Sequence, residues 1–161
     1  MVYWTEPVFD RTDKDVEMAI RKIAEWVAYQ NAGVSVATYD LKGCLNVSDI
    51  NRIENNVAYL SEKLTEYGYP SSVSTRSWGH TGLPNVNDIE RILTNVRELV
   101  KSYYRHSTSP ELPYTINGYQ ELNAVEKNLY LIKMLLDCMV GSFKKSGTMK
   151  VGSRTILPTR R

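Results

Sequence analysis

The stretch LNVSDINRIENNVAYL, Leu45 to Leu60, returns 39 residues later as PNVNDIERILTNVRELV, Pro84 to Val100, with Asn, Val, Asp, Ile, Arg, Ile, Asn, Val and Leu in the same places. A catalytic motif supplies its nucleophile or metal ligand once. Duplicated text with no evident reactive group therefore points to a repeated structural unit. In the first copy Asn46 is placed to cap a helix, and Asp49 three residues on can return the bond as a capping-box partner and face the positive end of the helix dipole. Leu45 can staple against Ile50. Beyond the cap, Ile50, Ile53, Val57, Leu60 and Leu64 recur at intervals of three and four, one stripe along a helix that Gly68 and Pro70 stop. The second copy repeats the plan with Asn85 as cap, Asp88 as its partner and a stripe of Ile89, Ile92, Val96, Leu99 and Tyr103.

A third, weaker copy lies in NGYQELNAVEKNLYLIKML. Aligning Asn128 with Asn56 and Asn95 puts Leu122, Val125, Leu129, Ile132 and Leu136 on the same stripe and Glu121 in the place of Asp49 and Asp88, with Asn117 or Gly118 as the cap. Leu131, Leu135 and Met139 widen its apolar surface, so this helix is expected to be the most buried. Ahead of all three, TDKD sets Thr12 and Asp15 as start signals for a helix whose stripe is Val16, Ile20, Ile23 and Val27. Isolated amphipathic helices of this length are marginal in water and must cover their apolar faces. Burying each large aliphatic side chain contributes roughly 1.5–3 kcal/mol against about 1 kcal/mol for a cap, so stripes build the bundle and caps set where helices begin. The expected fold is all-α: a compact bundle of about four main helices, near 13–30, 46–66, 85–104 and 118–140, with long connections, one domain over 1–140 and a non-helical basic tail over 141–161.

With 161 residues, 42% hydrophobic and 24% charged, the chain has the composition of a single soluble domain. No apolar run has the length of a membrane span, and MVYWTEPVFDRTDKD lacks the basic start and apolar middle of a signal peptide, so a cytoplasmic origin and no membrane partner are expected. Cys44 and Cys138 lack the paired spacing of a zinc site. His80 and His106 sit in loops with no Cys or acid at metal-ligand spacing, and there is no GxSxG, Walker or GxGxxG motif. These absences lead to the expectation of a non-enzyme with no cofactor and no metal.

Asn56, Asn95 and Asn128 fall on the margin of each stripe. A repeated amide beside a core is expected to tie down the backbone of a neighbouring loop. Arg52 and Arg91, four residues ahead of two of them, are expected to pair with local acids such as Glu54 and Glu90 or to lie along the helix surface. Among the aromatic residues, Trp26, Tyr59 and Tyr103 read as core or boundary, whereas Tyr67, Tyr69, Trp78 and Tyr114 in loops are candidate interface residues. From Gly141 onward there are six basic residues and no acid, among them Lys144, Lys145 and Arg154. Such a tail could attract nucleic acid by counterion release, but no stacking platform accompanies it, and a partner-ordered end is the favoured reading.

The wording VFDRTDKDVEMA, LKGCLNVSDINRIENNVAYL, GLPNVNDIERILTNV and LPYTINGYQELNAVEKNLYLI, in that order, resembles a poorly characterised group of proteins encoded in prophages of Firmicutes, particularly clostridia. The resemblance runs from about Phe9 to about Leu136, with Cys44 where a small residue such as Ala is expected. It implies a virion-associated structural or adaptor part of the tail, baseplate or fibre region, made in the cytoplasm and then carried in the virion. Its partners would be other tail proteins and, since tail assemblies are symmetric, copies of itself. It carries no catalytic residues over. The alternatives are a nucleic-acid-binding protein using the basic tail and a carbohydrate-binding host-recognition module using loop Tyr and Trp.

Overall fold

Each start signal in the sequence opens a helix. Thr12 and Asp15 form a reciprocal capping box at the head of α1, Asp13–Asn31, and Asn85 and Asp88 form one at the head of α3, Val86–Ser102. At α2, Val47–Glu66, Asp49 Oδ2 accepts the Asn46 backbone N–H at 3.0 Å, while the Asn46 side-chain amide also accepts from Leu41 N and donates to Leu41 O, so cap and preceding loop are fastened together. The last helix, α4, spans Tyr119–Ser146. Gly118 precedes it and its carbonyl accepts the Leu122 N–H, which puts Glu121 at the third helical position, as Asp49 and Asp88 are in theirs. Two ends are equally explicit: Gly33 and Gly68 take positive φ, and the residue after each donates back to Tyr29 and Leu64 respectively, closing α1 and α2.

This computed structural model describes residues 3–79, 82 and 84–146, and among them it is an all-α bundle with no strand. No described helix is long and apolar enough to cross a membrane. The core joins Ile53, Val57, Leu60 and Leu64 of α2, Ile92, Leu93, Val96 and Leu99 of α3, and Leu122, Val125, Leu129, Ile132 and Leu136 of α4. Helices α2, α3 and α4 each pack on the other two.

Three expectations need correction. The α1 stripe is outside the core: α1 lies along none of the other described helices, touching α4 at its root where Asp13 accepts the Tyr119 hydroxyl at 2.9 Å; its one buried residue is Ala19, and Ile20, Ile23 and Val27 are 63%, 41% and 48% exposed. The reason is that three stripes already close on one another, and α1 is covered instead on a different side by its own following segment, with Trp26 edge-on to Tyr39 at 5.2 Å. Second, α4 is not the most buried helix: Leu131 is buried, but Leu135, Met139 and Val140 are half-buried and Phe143 is exposed, whereas the α2 stripe from Ile50 to Leu64 is buried throughout. Third, helix continues past 140 to Ser146, because a single Gly141 lowers helix propensity by only about 1 kcal/mol and no proline follows until Pro158. Lys144 and Lys145 thus lie on α4, and residues 147–161, including Arg154, fall outside the described residues.

Extended straps run ahead of the helices, and the repeated asparagines hold them. Asn56 Oδ1 accepts the Thr5 N–H at 2.9 Å and its amide donates to the Thr5 carbonyl at 2.7 Å. Asn95 makes the same pair with Ser74, at 3.1 and 2.7 Å, and Asn128 donates to the Pro110 carbonyl at 3.1 Å. The far end of a strap is held by the neighbouring helix: Asn51 of α2 brackets the backbone of Trp78, and Asn123 of α4, at the same place in its repeat, brackets that of Arg11. A repeat unit is therefore a strap followed by a helix. The strap held by α2 is the N-terminal one, so α1 and the segment to Gly43 are an excursion between the first strap and its helix. The ends of the excursion meet: a Cβ on Gly43 would lie 2.1 Å from the Asp15 carbonyl oxygen, and Lys42 bridges Asp10 at 2.9 Å and Asp15 at 3.7 Å.

Candidate functional site

The densest polar constellation is where the first strap crosses between α2 and α4. Glu126, wholly buried, accepts the Val8 N–H at 2.7 Å, Arg11 Nη2 at 2.9 Å and Arg52 through Nε and Nη2, both at 2.8 Å. Asp49 takes Arg11 Nη2 at 2.8 Å and also Arg52. Two cations face two anions, so the cluster is neutral, and both carboxylates are taken up by the guanidinium groups. Burial pushes the Asp49 carboxyl up, but the Asn46 backbone N–H, Arg52 and Arg11 outweigh it and hold it below the usual carboxylate range. Burial likewise opposes the Arg52 charge, and Glu126 and Asp49 more than restore it. Arg11 Nε is buried with no hydrogen-bond partner, as is Glu121 Oε2.

The same device recurs between α3 and α2. Arg91 pairs with Glu54, through Nη1 at 3.1 Å and also through Nη2, and Glu54 accepts Trp78 Nε1 at 3.1 Å. The expected local pairing holds for Arg52, which takes Asp49 one turn away and reaches Glu126 of α4 in addition; it is corrected for Arg91, whose partner Glu54 lies on α2. The expectation for Trp78 is corrected too, since it is 9% exposed, wedged by its backbone and indole N–H and covered by the Arg76 guanidinium 3.7 Å above its ring. Trp78 offers a partner or a sugar almost no ring surface. Glu54 and Glu126 stand two residues before Asn56 and Asn128, and Asn51 and Asn123 five before, so aligning the repeats on their asparagines exposes all four. Arg11 had no such signal.

The remaining candidates do not converge on one surface. Tyr69 stacks edge-on against Tyr103 at 4.8 Å and is half-buried, Tyr67 is partly exposed, and Tyr114 is 94% exposed with Arg97 beside its ring at 5.6 Å. His106 is tied to Thr108, and His80 lies outside the described residues. Among the described residues no group of three or more His, Cys, Asp or Glu could hold a metal ion. A cavity of about 600 Å³ opens at the root of α1, lined by Arg11, Val16, Cys44, Leu45, Ile116 and Leu122 among others. Burial, then the nearby Asp49 charge, pushes the Cys44 thiol up, the direction of an inert rather than a nucleophilic sulfur. Leu45 is exposed at the cavity rim.

Among the described residues, one aligned apolar row left outside the core is the α1 stripe, which starts at Val16 in this cavity and continues through Ile20, Ile23 and Val27 into solvent. Its geometry suits contact with another protein surface, since four branched aliphatic side chains align on one side of a helix clamped at its root. No family model, curated protein or solved structure matches the chain.

Proposed function

We propose that this chain is a non-enzymatic structural or adaptor protein of a phage or prophage virion, in the tail, baseplate or fibre region, and that it works by protein–protein contact. The observation that carries the interaction reading is the contrast between the strapped three-helix core and α1. The core fixes its first two straps at both ends, whereas α1 leaves Ile20, Ile23 and Val27 open to solvent. Burying that stripe removes apolar surface from water at roughly 25 cal/mol per Å², a driving force for association that the fold itself leaves unused. The virion reading rests on the resemblance of the repeated wording to prophage-encoded proteins.

The test is particle incorporation. A tagged chain expressed from an induced prophage is expected to co-sediment with purified particles and to be located on their tails by immunogold labelling. An Ile20→Glu/Ile23→Glu variant is expected to stay in the soluble lysate while keeping the wild-type circular dichroism spectrum. Wild-type chain found only in the soluble fraction overturns the proposal.

A further inference from the structure

We infer that the α1 stripe is covered by the α1 of a second copy, the two helices pairing antiparallel about a twofold axis; this rests on the reading that the chain acts by protein–protein contact and names the partner. Val16, Ile20, Ile23 and Val27 follow intervals of four, three and four, the alternation of a two-stranded helical seam. Turning the stripe about an axis between residues 21 and 22 sets Ile20 against Ile23 of the partner subunit and Val16 against Val27 of the partner subunit. Every layer is then a like pair, Ile with Ile and Val with Val, and the surface is its own complement, as a twofold interface requires. A parallel pair would instead bring Asp13, the acid of the first turn nearest the stripe, beside its own copy. Antiparallel pairing sets that turn beside the last one, Ala28 to Asn31, which carries no charge.

The dimensions suit such a pair. At 19 residues α1 is about 28 Å long. A seam of that length, with four stripe side chains per copy and Leu45 exposed near its root, offers less than the roughly 1,200–2,000 Å² that stable interfaces bury. A dimer that dissociates on dilution is therefore expected. On one side the seam is flanked by the small, exposed Ala24, which lets the two backbones approach, while on the other Ala19 is already covered by the chain itself. Because α1 contributes no side chain of its stripe to the core, the stripe can be changed without unfolding the bundle.

The test is sedimentation equilibrium of the full chain from low to high micromolar concentration. The expected apparent mass rises toward twice the 18.4 kDa of one chain. Ile23→Lys returns it to the monomer value with an unchanged far-ultraviolet spectrum and, at dilutions where the wild type is also monomeric, an unchanged thermal midpoint. In a Cys44→Ser/Cys138→Ser background, a mixture of Ile20→Cys and Ile23→Cys chains is expected to cross-link with each other faster than either does with itself. A monomer at every concentration overturns the proposal, as does a dimer indifferent to Ile23→Lys or cross-linking of Ile20→Cys chiefly to itself. A wild-type monomer that dimerises only once residues 147–161 are removed overturns it too, with the tail as the occupant. Particle incorporation separates the two readings. A monomer that still enters tails through the stripe leaves the adaptor proposal standing and removes the second copy, and a stripe-dependent dimer absent from particles does the reverse.

Discussion

Replacing Glu54 by Leu isolates the contribution of the charged interfaces. The Glu54 side chain is 2% exposed and holds both Arg91 and Trp78 Nε1, so its loss strands a guanidinium and an indole N–H. Breaking a buried pair from one side costs about 3–5 kcal/mol. The Arg91 side chain, 23% exposed, can turn to water, which moves the expectation to about 3 kcal/mol for Glu54→Leu. Arg91→Ala leaves a carboxylate with only the Trp78 donor and is expected to cost about 3–5 kcal/mol. The double variant gives the two positions the Leu and Ala that stand at the third interface as Leu93 and Ala124, and leaves only the Trp78 indole N–H without its acceptor. It is expected to cost about 1–3 kcal/mol, well below the sum of the two single losses. Urea unfolding followed by far-ultraviolet circular dichroism is the assay, since Trp78 fluorescence would report its own altered surroundings. Costs that simply add in the double variant would show that the pair is not an interacting unit and refute the reasoning.

Asn95→Ala removes both bonds to the Ser74 backbone and should cost about 1–2 kcal/mol, with faster amide exchange at Ser74 and little change in the first strap. The Asp49 carboxyl is held below its ordinary value, so its contribution is complete above the unfolded-state value and is lost as pH falls through the lower folded-state value. Thermal midpoints measured from neutral to strongly acid pH should therefore fall for the wild type in that acid window and fall less for Asp49→Asn, which starts lower. A parallel decline of both would remove Asp49 from the acid response. Exchanging residues 13–44 for a short Gly-Ser linker should leave a bundle that unfolds cooperatively, since the ends of the excursion already meet and closing a short loop costs little. Non-cooperative melting of that variant would mean that α1 belongs to the core after all.

The helices of the core were legible because caps and stripes are local: Asn46, Asn85 and the three- and four-residue intervals needed no tertiary information. Periodicity, however, says which face of a helix is apolar and not what covers it. Val16, Ile20, Ile23 and Val27 have the same pattern as the α2 stripe and a different fate. Trp78 misled for a related reason. Its Gly- and Ser-rich surroundings read as an open connection, whereas a strap lying in a groove between helices needs small residues in order to fit. The pairing of Arg11 with Glu126 spans 115 residues and no periodic signal encodes it, although the repeat alignment does place Glu126 in register with Glu54.

The threefold plan has two charged interfaces and one apolar one, and the straps supply the reason. Three residues beyond the point held by its asparagine, the first strap presents the Val8 N–H, which Glu126 accepts. The second presents the Trp78 indole N–H one residue later, which Glu54 accepts. In the third strap the corresponding residue is Pro113, which has no N–H, and the corresponding helical position is Leu93. An acid is thus present where a strap brings a buried donor, an arginine is present where that acid must be neutralised, and neither is needed where proline removes the donor. Pro113→Ala tests this directly. The new N–H would meet an apolar helix position and should cost about 1–3 kcal/mol through an unpaired donor, in addition to the roughly 0.4–1 kcal/mol that any loop proline contributes by restricting the unfolded chain. Pro70→Ala, at an exposed site, isolates that second part. Equal losses for the two variants in urea unfolding would show that the absence of a donor at Pro113 has nothing to do with the absence of charge beside it.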